Sequence, residues 1–450
     1  MSATSSGKPA SETVNKVKTV HDPVHGSIRV DGFFLDLLDR HEMQRLRGIK
    51  QLGSANLVFP GANHTRFEHC LGAYHLAGKM AESISLSKED TLAVRAAGLL
   101  HDICHAPYSH TLEAVMEEIT GLDHMELARS LIMGDIRTFR ERDKDLFDGE
   151  EPMSVILENN GVDPRVVCDL ISYPETTDYE SGTLDILTGR NDHFPSKDYI
   201  HQIIHGPVDC DQMDYLMRDS HYTGVEMGNI DLSRLLSTMK VVNDRLCISR
   251  SGAPAAEGLM VSRSLMYTSV YFHPTVRILN RMITKSVLSS GLDLKDLYLW
   301  DDADLTQKLF DAGGSASKLA RLVQNRMFYK KALILTGNDM DEDLALALTR
   351  YASAEKRTIL EQKVAEKAGV DVADICIEMP PPSNLKSTMK IGKTDVSIAY
   401  EDGRVKSLTR TSSIAKALQS RDSFGWSLVV ACPSSCLDEV SKAANRLFGL

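Results

Sequence analysis

One twelve-residue stretch, Leu99 to His110 (LLHDICHAPYSH), constrains this chain more than any other. It places three histidines and an aspartate at the end of an apolar helix, where every buried polar group needs a partner. His101 and Asp102 diverge by roughly 100° on a helix, but they can meet at one ion at its edge. Imidazole with carboxylate is a donor set suited to Mn, Fe, Zn or Ni and, less well, to Mg. The stretch therefore predicts a divalent metal site, with buried core histidines as the alternative.

The residues after this pair extend the prediction. His105 follows His101 by four positions and therefore stands on the same side, where it can reach a substrate. Pro107 is expected to break the helix, and Ser109 to cap the next one.

Composition and charge limit what can surround such a site. With 450 residues, 42% of them hydrophobic, the chain is long enough for one large domain with an appendage or for two to three domains. A net charge of −11 argues against general nucleic-acid binding. The sequence shows no apolar run of about eighteen residues and no signal-peptide pattern. The eight cysteines form no CxxC pair. We therefore expect a cytoplasmic protein that does not bind membranes.

A second polar group is predicted where a helix begins near residue 65. Thr65 to Glu68 fits the S/T-x-x-E capping box. Arg66 and His69 then share one face, and a guanidinium one turn from a metal ligand suits a polyphosphate. Pairing of Arg66 with a nearby acid is the alternative. Before this point, the pattern from Asp39 to Leu52 predicts a long amphipathic helix.

Two later helices carry polar and aromatic side chains at helical spacing. One predicted stripe consists of Asp211, Tyr215, Arg218 and Asp219. It indicates either the wall of a buried pocket or a solvated face. The other consists of Arg263, Tyr267 and Tyr271, in a helix predicted from Arg263 to Ile283 and kinked at Pro274. An arginine beside two rings suits a nucleotide, and an ordinary helix interface is the alternative.

Sequence patterns divide the chain into four predicted parts. These are a flexible tail (1–17), a catalytic core (18–295), a helical extension (296–370) and a C-terminal α+β unit (371–450). A hairpin is predicted around Asp402 and Gly403. Residues 173–198 are a candidate mobile flap. The predicted fold class is mainly α with a small C-terminal α+β unit.

Five ordered blocks of the sequence are similar to a known family. They are DPVHG (22–26), QRLRGIKQLG (44–53), FPGANHTRFEHCLG (59–72), HDICHAPYSH (101–110) and DQMDYLMRDSHYTG (211–224). These blocks resemble the deoxynucleoside triphosphate (dNTP) triphosphohydrolases of the HD superfamily, including the catalytic core of its SAM-and-HD-domain enzyme, without a SAM domain. The resemblance implies an HD-domain helical hydrolase core. It also implies metal-dependent hydrolysis at the α-phosphate, giving a deoxynucleoside and inorganic triphosphate.

The same resemblance implies roles for the matching positions. The metal ligands would be His69, His101, Asp102 and Asp211. The catalytic residues would be His105, His110, His124 and Glu126, with His110 as the general acid. Phosphates would be bound by Arg66 and Arg263, the sugar 3′-hydroxyl by Gln51, Leu52 and Asp219, and the sugar ring by Tyr215 and Tyr271. Tyr271 would exclude a ribose 2′-hydroxyl by its bulk.

Three positions depart from the family pattern. Gln212 stands where the SAM-and-HD-domain enzyme of animals has a lysine, and Phe272 stands where that enzyme has a glutamine. The expected His-Glu pair is spaced here as His124-Met125-Glu126. The predicted metal ligands are intact, so these changes leave the substrate preference open.

A regulatory site is also implied by the resemblance. Its residues would be Lys18, Asp39, Gln44 and Arg47, binding GTP or dGTP between the subunits of a homodimer or homotetramer. Asp39 would read the guanine edge, and Arg47 would stack on the base or contact phosphate. A network of ion pairs on the helix surface is the alternative.

Two other functions fit the same residues. A phosphohydrolase or phosphodiesterase acting on another nucleotide would keep the metal site and change the substrate. A nucleotide-sensing protein would use the site for binding alone.

Overall fold

The computed structural model describes residues 16–172, 198–336, 339–340, 342–351, 353–379, 396–420 and 428–449. Helices dominate these ranges, which confirms the predicted mainly α fold class. Residues 1–15 of the predicted tail and 173–197 of the predicted flap lie outside the described residues. Within the ranges given, no helix combines the length and the apolar composition that crossing a bilayer requires.

The helices are mostly two to five turns long. In chain order the longer ones are Phe33–Asp39, Arg66–Ser83, Lys88–Leu100, Glu113–Thr120, His124–Met133, Met153–Asn159, Pro164–Ile171, Asp198–His205, Cys210–Thr223, Leu232–Thr238, Ala253–Met266, Pro274–Leu288, Asp302–Ala312, Gly314–Gln324, Glu342–Thr349, Ala354–Ala368, Ser413–Ser420 and Leu437–Phe448. Short helices occur at His41–Arg45, Lys144–Phe147 and Leu408–Thr411.

The strands form three small sheets. In chain order they are β1 (Val17–Asp22), β2 (Gly26–Asp31), β3 (Met239–Val242), β4 (Arg245–Ser249), β5 (Lys330–Leu335), β6 (Cys376–Glu378), β7 (Ser397–Ala399), β8 (Val405–Ser407) and β9 (Leu428–Cys432). β1 and β2 form an antiparallel hairpin. The other sheets have the strand orders β3-β4-β7-β8 and β5-β9-β6.

The C-terminal residues contribute to both of the larger sheets. The hairpin predicted around Asp402 and Gly403 is confirmed, because β7 and β8 pair antiparallel. β7 also pairs in parallel with β4, so the hairpin extends a sheet formed by residues 239–249. β9 lies between β5 and β6 and packs with the last helix in a second apolar core.

The predicted helical extension is wrong at β5, which lies inside residues 296–370. The KKALIL sequence of β5 ends in the short apolar run ALIL, and such runs do not distinguish a strand from a helix by periodicity. β5 becomes a strand because it pairs with β9, and this pairing is a long-range contact that the local sequence does not show.

The long helix predicted from Asp39 to Leu52 is also wrong. The helix Phe33–Asp39 ends at Arg40, whose backbone is extended at φ −60° and ψ 141°, and the chain then forms a short helix and a 3₁₀ turn, Leu46–Gly48. Beyond that turn, Lys50 forms an isolated antiparallel bridge with Thr65. The apolar residues of this segment, Met43, Leu46 and Ile49, are nevertheless buried, because their spacing of three also matches a 3₁₀ turn.

Two further local predictions are corrected. Pro274 does not kink one helix but begins a new one, since the preceding His273 is extended (φ −57°, ψ 124°), as the residue before proline prefers. Ser109 lies in a 3₁₀ turn and caps no helix. Its hydroxyl instead serves the candidate site described below.

Candidate metal centre and nucleotide pocket

The structure brings the four predicted metal ligands together from three helices. They come from the first turn of Arg66–Ser83, from the turn that directly follows Lys88–Leu100 and from the first turn of Cys210–Thr223. The capping box predicted at Thr65 is present, and the Asp209 side chain caps the third helix. Local capping therefore fixes where two of the three ligand-bearing helices begin.

The ligand atoms converge on one small volume. His69 Nε2 lies 3.3 Å from His101 Nε2 and 3.1 Å from Asp211 Oδ1. Asp102 Oδ2 is 3.4 Å from His69 Nε2, and Asp102 Oδ1 is 3.5 Å from His101 Nε2. His69, His101 and Asp102 are buried.

The hydrogen bonds behind the two imidazoles make this donor set fit a cation. His101 Nδ1 lies 3.0 Å from the carbonyl oxygen of Gly98, which can only accept, so this nitrogen carries the hydrogen. His69 Nδ1 lies 2.7 Å from a carboxylate oxygen of Asp214 and donates likewise. Each Nε2 of a neutral imidazole then offers a lone pair toward the other ligands. Lone pairs and carboxylate oxygens gathered in this way fit a divalent metal.

The electrostatics of the pocket point the same way. Burial acts to lower the pKa of His69, but hydrogen bonds with Asp211 and Asp214 outweigh it and raise the pKa to about 10. Burial acts to raise the pKa of Asp102, but the Arg66 guanidinium helps to hold it well below its usual range. The pocket therefore stabilises positive charge, whether carried by a proton or by a metal ion.

A buried carboxylate behind the ligands was missed by the sequence reasoning. Asp214 accepts from His69 and Arg218 and lies 2.6 Å from His25 Nε2, while Arg218 also donates to Asp22 at 2.8 Å. A Cβ at Gly72 would lie only 1.8 Å from Asp214 Oδ1, so the neighbouring helix has room for this carboxylate only with glycine there. The signal was present in the DPVHG and DQMD blocks, in which Asp22, His25 and Asp214 had been given no role.

A second group of titratable residues lies beside Asp102. His105 Nε2 is 3.1 Å from Asp102 Oδ1, and the His105 ring stacks on His124 with centroids 4.3 Å apart. Glu113, also missed, contacts both His110 Nδ1 at 2.8 Å and His124 Nδ1 at 2.5 Å. Its spacing of three from His110 at a helix start was the available signal.

The pKa values in this group separate the two stacked imidazoles. Burial and the Arg66 guanidinium lower the pKa of His105 well below its usual range. Burial opposes protonation of His124 as well, but Glu113 more than compensates and raises its pKa. His105 is therefore neutral while His124 favours the charged form. Glu126 interacts with the start of its own helix. Its carboxylate accepts from the backbone N–H of Asp123 and completes the capping box there.

Arg66 is buried between the metal ligands and the histidine turn, which comprises residues 105–110. Its Nη1 contacts Asp102, and its Nε donates to Ser109 Oγ at 3.0 Å. Its Nη2 has no hydrogen-bond partner within the described part of the chain. The two interpretations of Arg66, phosphate binding and pairing with a nearby acid, are therefore compatible. The side chain pairs with Asp102 and keeps Nη2 as a donor for an anion.

The residues predicted to bind the sugar form one wall. Tyr271 donates to Asp219 Oδ2 at 2.7 Å, and His64 Nε2 lies 2.7 Å from Asp219 Oδ1. The Tyr215 ring is 6.0 Å from that of Tyr271. Asp219 is buried, which favours the pocket over the solvated face. His64 was missed, although it lies in the block that contains Arg66.

The other predicted substrate residues flank this wall. Gln51 is buried, and among the described residues its Oε1 finds no hydrogen-bond partner. Leu52 follows it and is half-buried. The Arg263 guanidinium lies 5.6 Å from the centre of the Tyr267 ring.

Two of the departures from the family pattern have local explanations. Gln212 is buried and donates to the carbonyl oxygen of Gly206 and to Asp209, each at 2.9 Å, so its amide binds the start of its own helix. Phe272 stacks on Tyr267 with centroids 5.5 Å apart.

The four residues predicted to bind an activator form two pairs. Lys18 Nζ and Asp39 Oδ2 are 3.5 Å apart, with both side chains more than half exposed. Arg47 donates to Gln44 at 2.8 Å and lies over the Phe67 ring at 3.6 Å.

Comparisons with known proteins agree with this geometry. The HD domain model matches residues 66–157, and the model of the HD associated region matches residues 230–450. An uncharacterized protein of Methanocaldococcus jannaschii is 31% identical, over 94% of this chain and 81% of its own length. This chain belongs to the HD-domain family of phosphohydrolases.

Other members of the family include named enzymes. The deoxynucleoside triphosphate triphosphohydrolase SAMHD1 of Homo sapiens is 27% identical over 71% of this chain, and the SAMHD1 homolog of Dictyostelium discoideum is 28% identical over 62%. This chain spans only about half the length of either relative. The crystal structure of a phosphohydrolase from Bacteroides thetaiotaomicron superposes with a TM-score of 0.66 at 26% identity, covering 93% of this chain and all of that one.

Proposed function

We propose that this HD-domain protein is a cytoplasmic dNTP triphosphohydrolase. It would hydrolyse dNTPs at the α-phosphate and release a deoxynucleoside and inorganic triphosphate. The observation that carries the proposal is the position of Arg66, which touches the Asp102 ligand and keeps a buried donor at Nη2 within the described structure. An anion placed at that donor would lie beside the proposed metal site.

The metal would be held by the two imidazoles and two carboxylates described above. Residues with this chemistry can bind Mn, Fe, Mg, Zn or Ni. When bound, a divalent ion supplies charge stabilisation at the phosphoryl group and helps to ionise an attacking water.

The chain's own residues would do the remaining work. Arg66 and Arg263 would stabilise charge on the phosphate oxygens. As the water oxygen bonds to phosphorus, the bond from phosphorus to the 5′ oxygen breaks, and His110 would give that oxygen its proton. Glu113 would orient His110 through their 2.8 Å contact.

The sugar would be recognised by the wall on the far side. Gln51, Leu52 and Asp219 would meet the 3′-hydroxyl, and Gln51 Oε1, which has no hydrogen-bond partner among the described residues, can accept from it. Tyr215 and Tyr271 would enclose the ring, with Tyr271 tied to Asp219 and therefore fixed in place. A fixed ring at that position would exclude a ribose 2′-hydroxyl.

One observation favours a second candidate, a phosphohydrolase acting on another nucleotide. The neutral amide of Gln212 uses its nitrogen on Gly206 and Asp209, so this position brings no cation to a triphosphate. A substrate with fewer phosphates would not need that contact.

We further propose activation by a guanine nucleotide and assembly as a homodimer or homotetramer. The proposal rests on the likeness of Lys18, Asp39, Gln44 and Arg47 to the activator site of the family, and the exposed positions of Lys18, Asp39 and Arg47 are compatible with it.

The proposal is tested by incubating the purified protein and Mn with each dNTP and each NTP, with and without GTP, and separating the products. Deoxynucleoside and inorganic triphosphate from dNTPs alone are expected. Monophosphate products would favour the second candidate, and binding without turnover would favour a nucleotide sensor.

A further inference from the structure

A buried carboxylate outside the HD motif connects two turns of the candidate site. Asp302 begins the helix Asp302–Ala312, far along the sequence from the proposed ligands. Its Oδ1 accepts from the backbone N–H of Tyr108 at 2.7 Å, and its Oδ2 accepts from the backbone N–H of Lys50 at 3.1 Å. Only 7% of Asp302 is exposed. One carboxylate therefore uses both of its oxygens on backbone groups of separate segments.

Each of these segments carries proposed site residues. Lys50 is followed directly by Gln51 and Leu52, the proposed sugar-binding residues. Tyr108 lies between His105 and His110. A shift of either backbone would move groups that must meet the substrate.

The segments are also bonded to each other and to the same helix. Ser109 Oγ donates to the carbonyl oxygen of Lys50 at 2.7 Å, so the N–H and C=O of Lys50 are both fixed. The Tyr108 hydroxyl lies 2.7 Å from Thr306 Oγ1, one turn beyond Asp302. Arg45 donates to the carbonyl oxygens of His105 and Trp300, at 3.0 Å and 2.7 Å.

The turn that receives Asp302 has an unfavourable backbone. Tyr108 has φ 59° and Ser109 has φ 55°, a left-handed conformation that residues with a Cβ rarely adopt. Such a conformation persists when its surroundings over-determine it. The hydrogen bond from the Tyr108 N–H to Asp302 is one of those determinants.

We propose that Asp302 is a positioning residue. It holds the sugar-binding turn (residues 50–52) and the histidine turn (residues 105–110) in register with the metal centre. It acts through Lys50 and Tyr108 and does not touch the substrate. The inference rests on the proposed function for its kinetic consequences, whereas the register itself is a property of the fold.

The test compares wild type with Asp302→Asn, in which the isosteric amide can accept from only one of the two N–H groups. Assays are run at pH 8, where the carboxylate is ionised because burial raises its pKa only to about 6. We expect kcat to fall between about 10-fold and 100-fold, as for other misplacements of reacting groups. Metal content should equal that of wild type. Preference for a dNTP over its 2′,3′-dideoxy analogue should fall at least about threefold, because the 3′-hydroxyl loses its fixed contacts.

Asp301→Asn is the matched control, because it changes, at equal side-chain volume, a neighbouring carboxylate that caps the same helix and accepts from the backbone N–H of Asp304 rather than from Lys50 or Tyr108. Thr306→Val removes the partner of the Tyr108 hydroxyl, together with the hydrogen bond from Thr306 Oγ1 to the carbonyl oxygen of Asp302, and serves if Asp302→Asn does not fold. A merely structural role would lower the melting temperature and leave the dideoxy preference unchanged. Unchanged kcat and preference in Asp302→Asn, or in Thr306→Val if that variant alone folds, would overturn the proposal.

Hydrogen exchange separates this inference from the proposed function. If wild type hydrolyses no dNTP, the register is still tested by amide exchange in peptides covering residues 46–56 and 104–112. Faster exchange in both peptides of Asp302→Asn, but not of Asp301→Asn, would support the inference. Exchange unchanged in both peptides would overturn it.

Discussion

The proposed metal centre and the proposed activator surface are both rich in charge, yet they differ in how that charge is satisfied. At the centre, His69, Asp102 and Asp214 are buried, and each has several protein partners. At the surface, Lys18 and Asp39 form one exposed pair at 3.5 Å.

The difference shows which charges need a functional explanation. An exposed pair is solvated by water and contributes roughly 0 to 1 kcal/mol, so its presence alone says little about function. A buried group must be compensated by other groups, and a pocket full of acceptors calls for a cation. The following experiments test how far this contrast extends to activity.

The largest effect is expected at the centre. His101→Ala should lower hydrolysis by about a thousandfold or more, because a lost ligand removes several kcal/mol of metal assistance. Metal content, measured by mass spectrometry, should fall with it. The exposed His21→Ala is the control and should keep both. Full turnover in metal-free protein would break the comparison altogether.

A smaller effect is expected next to the ligands. Arg66→Lys keeps the charge but loses the fork that reaches Asp102, Ser109 and an anion together, so kcat/KM should fall about 100-fold. Steady-state kinetics measure it, with the exposed Arg129→Lys as the matched change. Equal activity in the two variants would show that Arg66 serves the fold only.

At the rim of the site, Glu113→Gln should change the pH profile. Burial lowers the pKa of His124 and Glu113 more than restores it, so charged His124 persists to higher pH in wild type. Without the carboxylate, His124 loses its proton at lower pH. Because His124 is one of the catalytic residues that the family resemblance implies, the alkaline limb of kcat/KM should move to lower pH, with a loss of about tenfold at neutral pH. Glu117→Gln on the same helix should leave the limb in place.

The smallest effect on stability is expected at the surface. Asp39→Asn should change the free energy of unfolding by less than about 0.5 kcal/mol and leave hydrolysis without GTP intact. It should reduce any stimulation by GTP at least about tenfold, since the guanine edge loses one of the two carboxylate acceptors and the negative charge. Asp36→Asn, on the same helix, is the control. Equal stimulation of both variants would leave this surface as a simple ion pair.

The sequence predicted well what depends on local chemistry. The capping box at Thr65 and the turn at Asp402 and Gly403 follow from short motifs. The four proposed ligands were instead implied by the family resemblance. Residues whose role depends on distant partners were missed. Asp214 is identified only when His25 and Arg218 are seen around it, and β5 only when it pairs with β9.

The β7–β8 hairpin has a practical consequence for dissecting the protein. After β5 and β6 the chain returns to the sheet of β3 and β4, where β7 pairs with β4. It then joins the other sheet through β9. Ending the polypeptide at residue 370, the predicted limit of the helical extension, would strip β4 of a neighbour and create an open sheet edge that invites association between molecules. A minimal enzyme is therefore better sought by shortening loops than by removing the C-terminal residues.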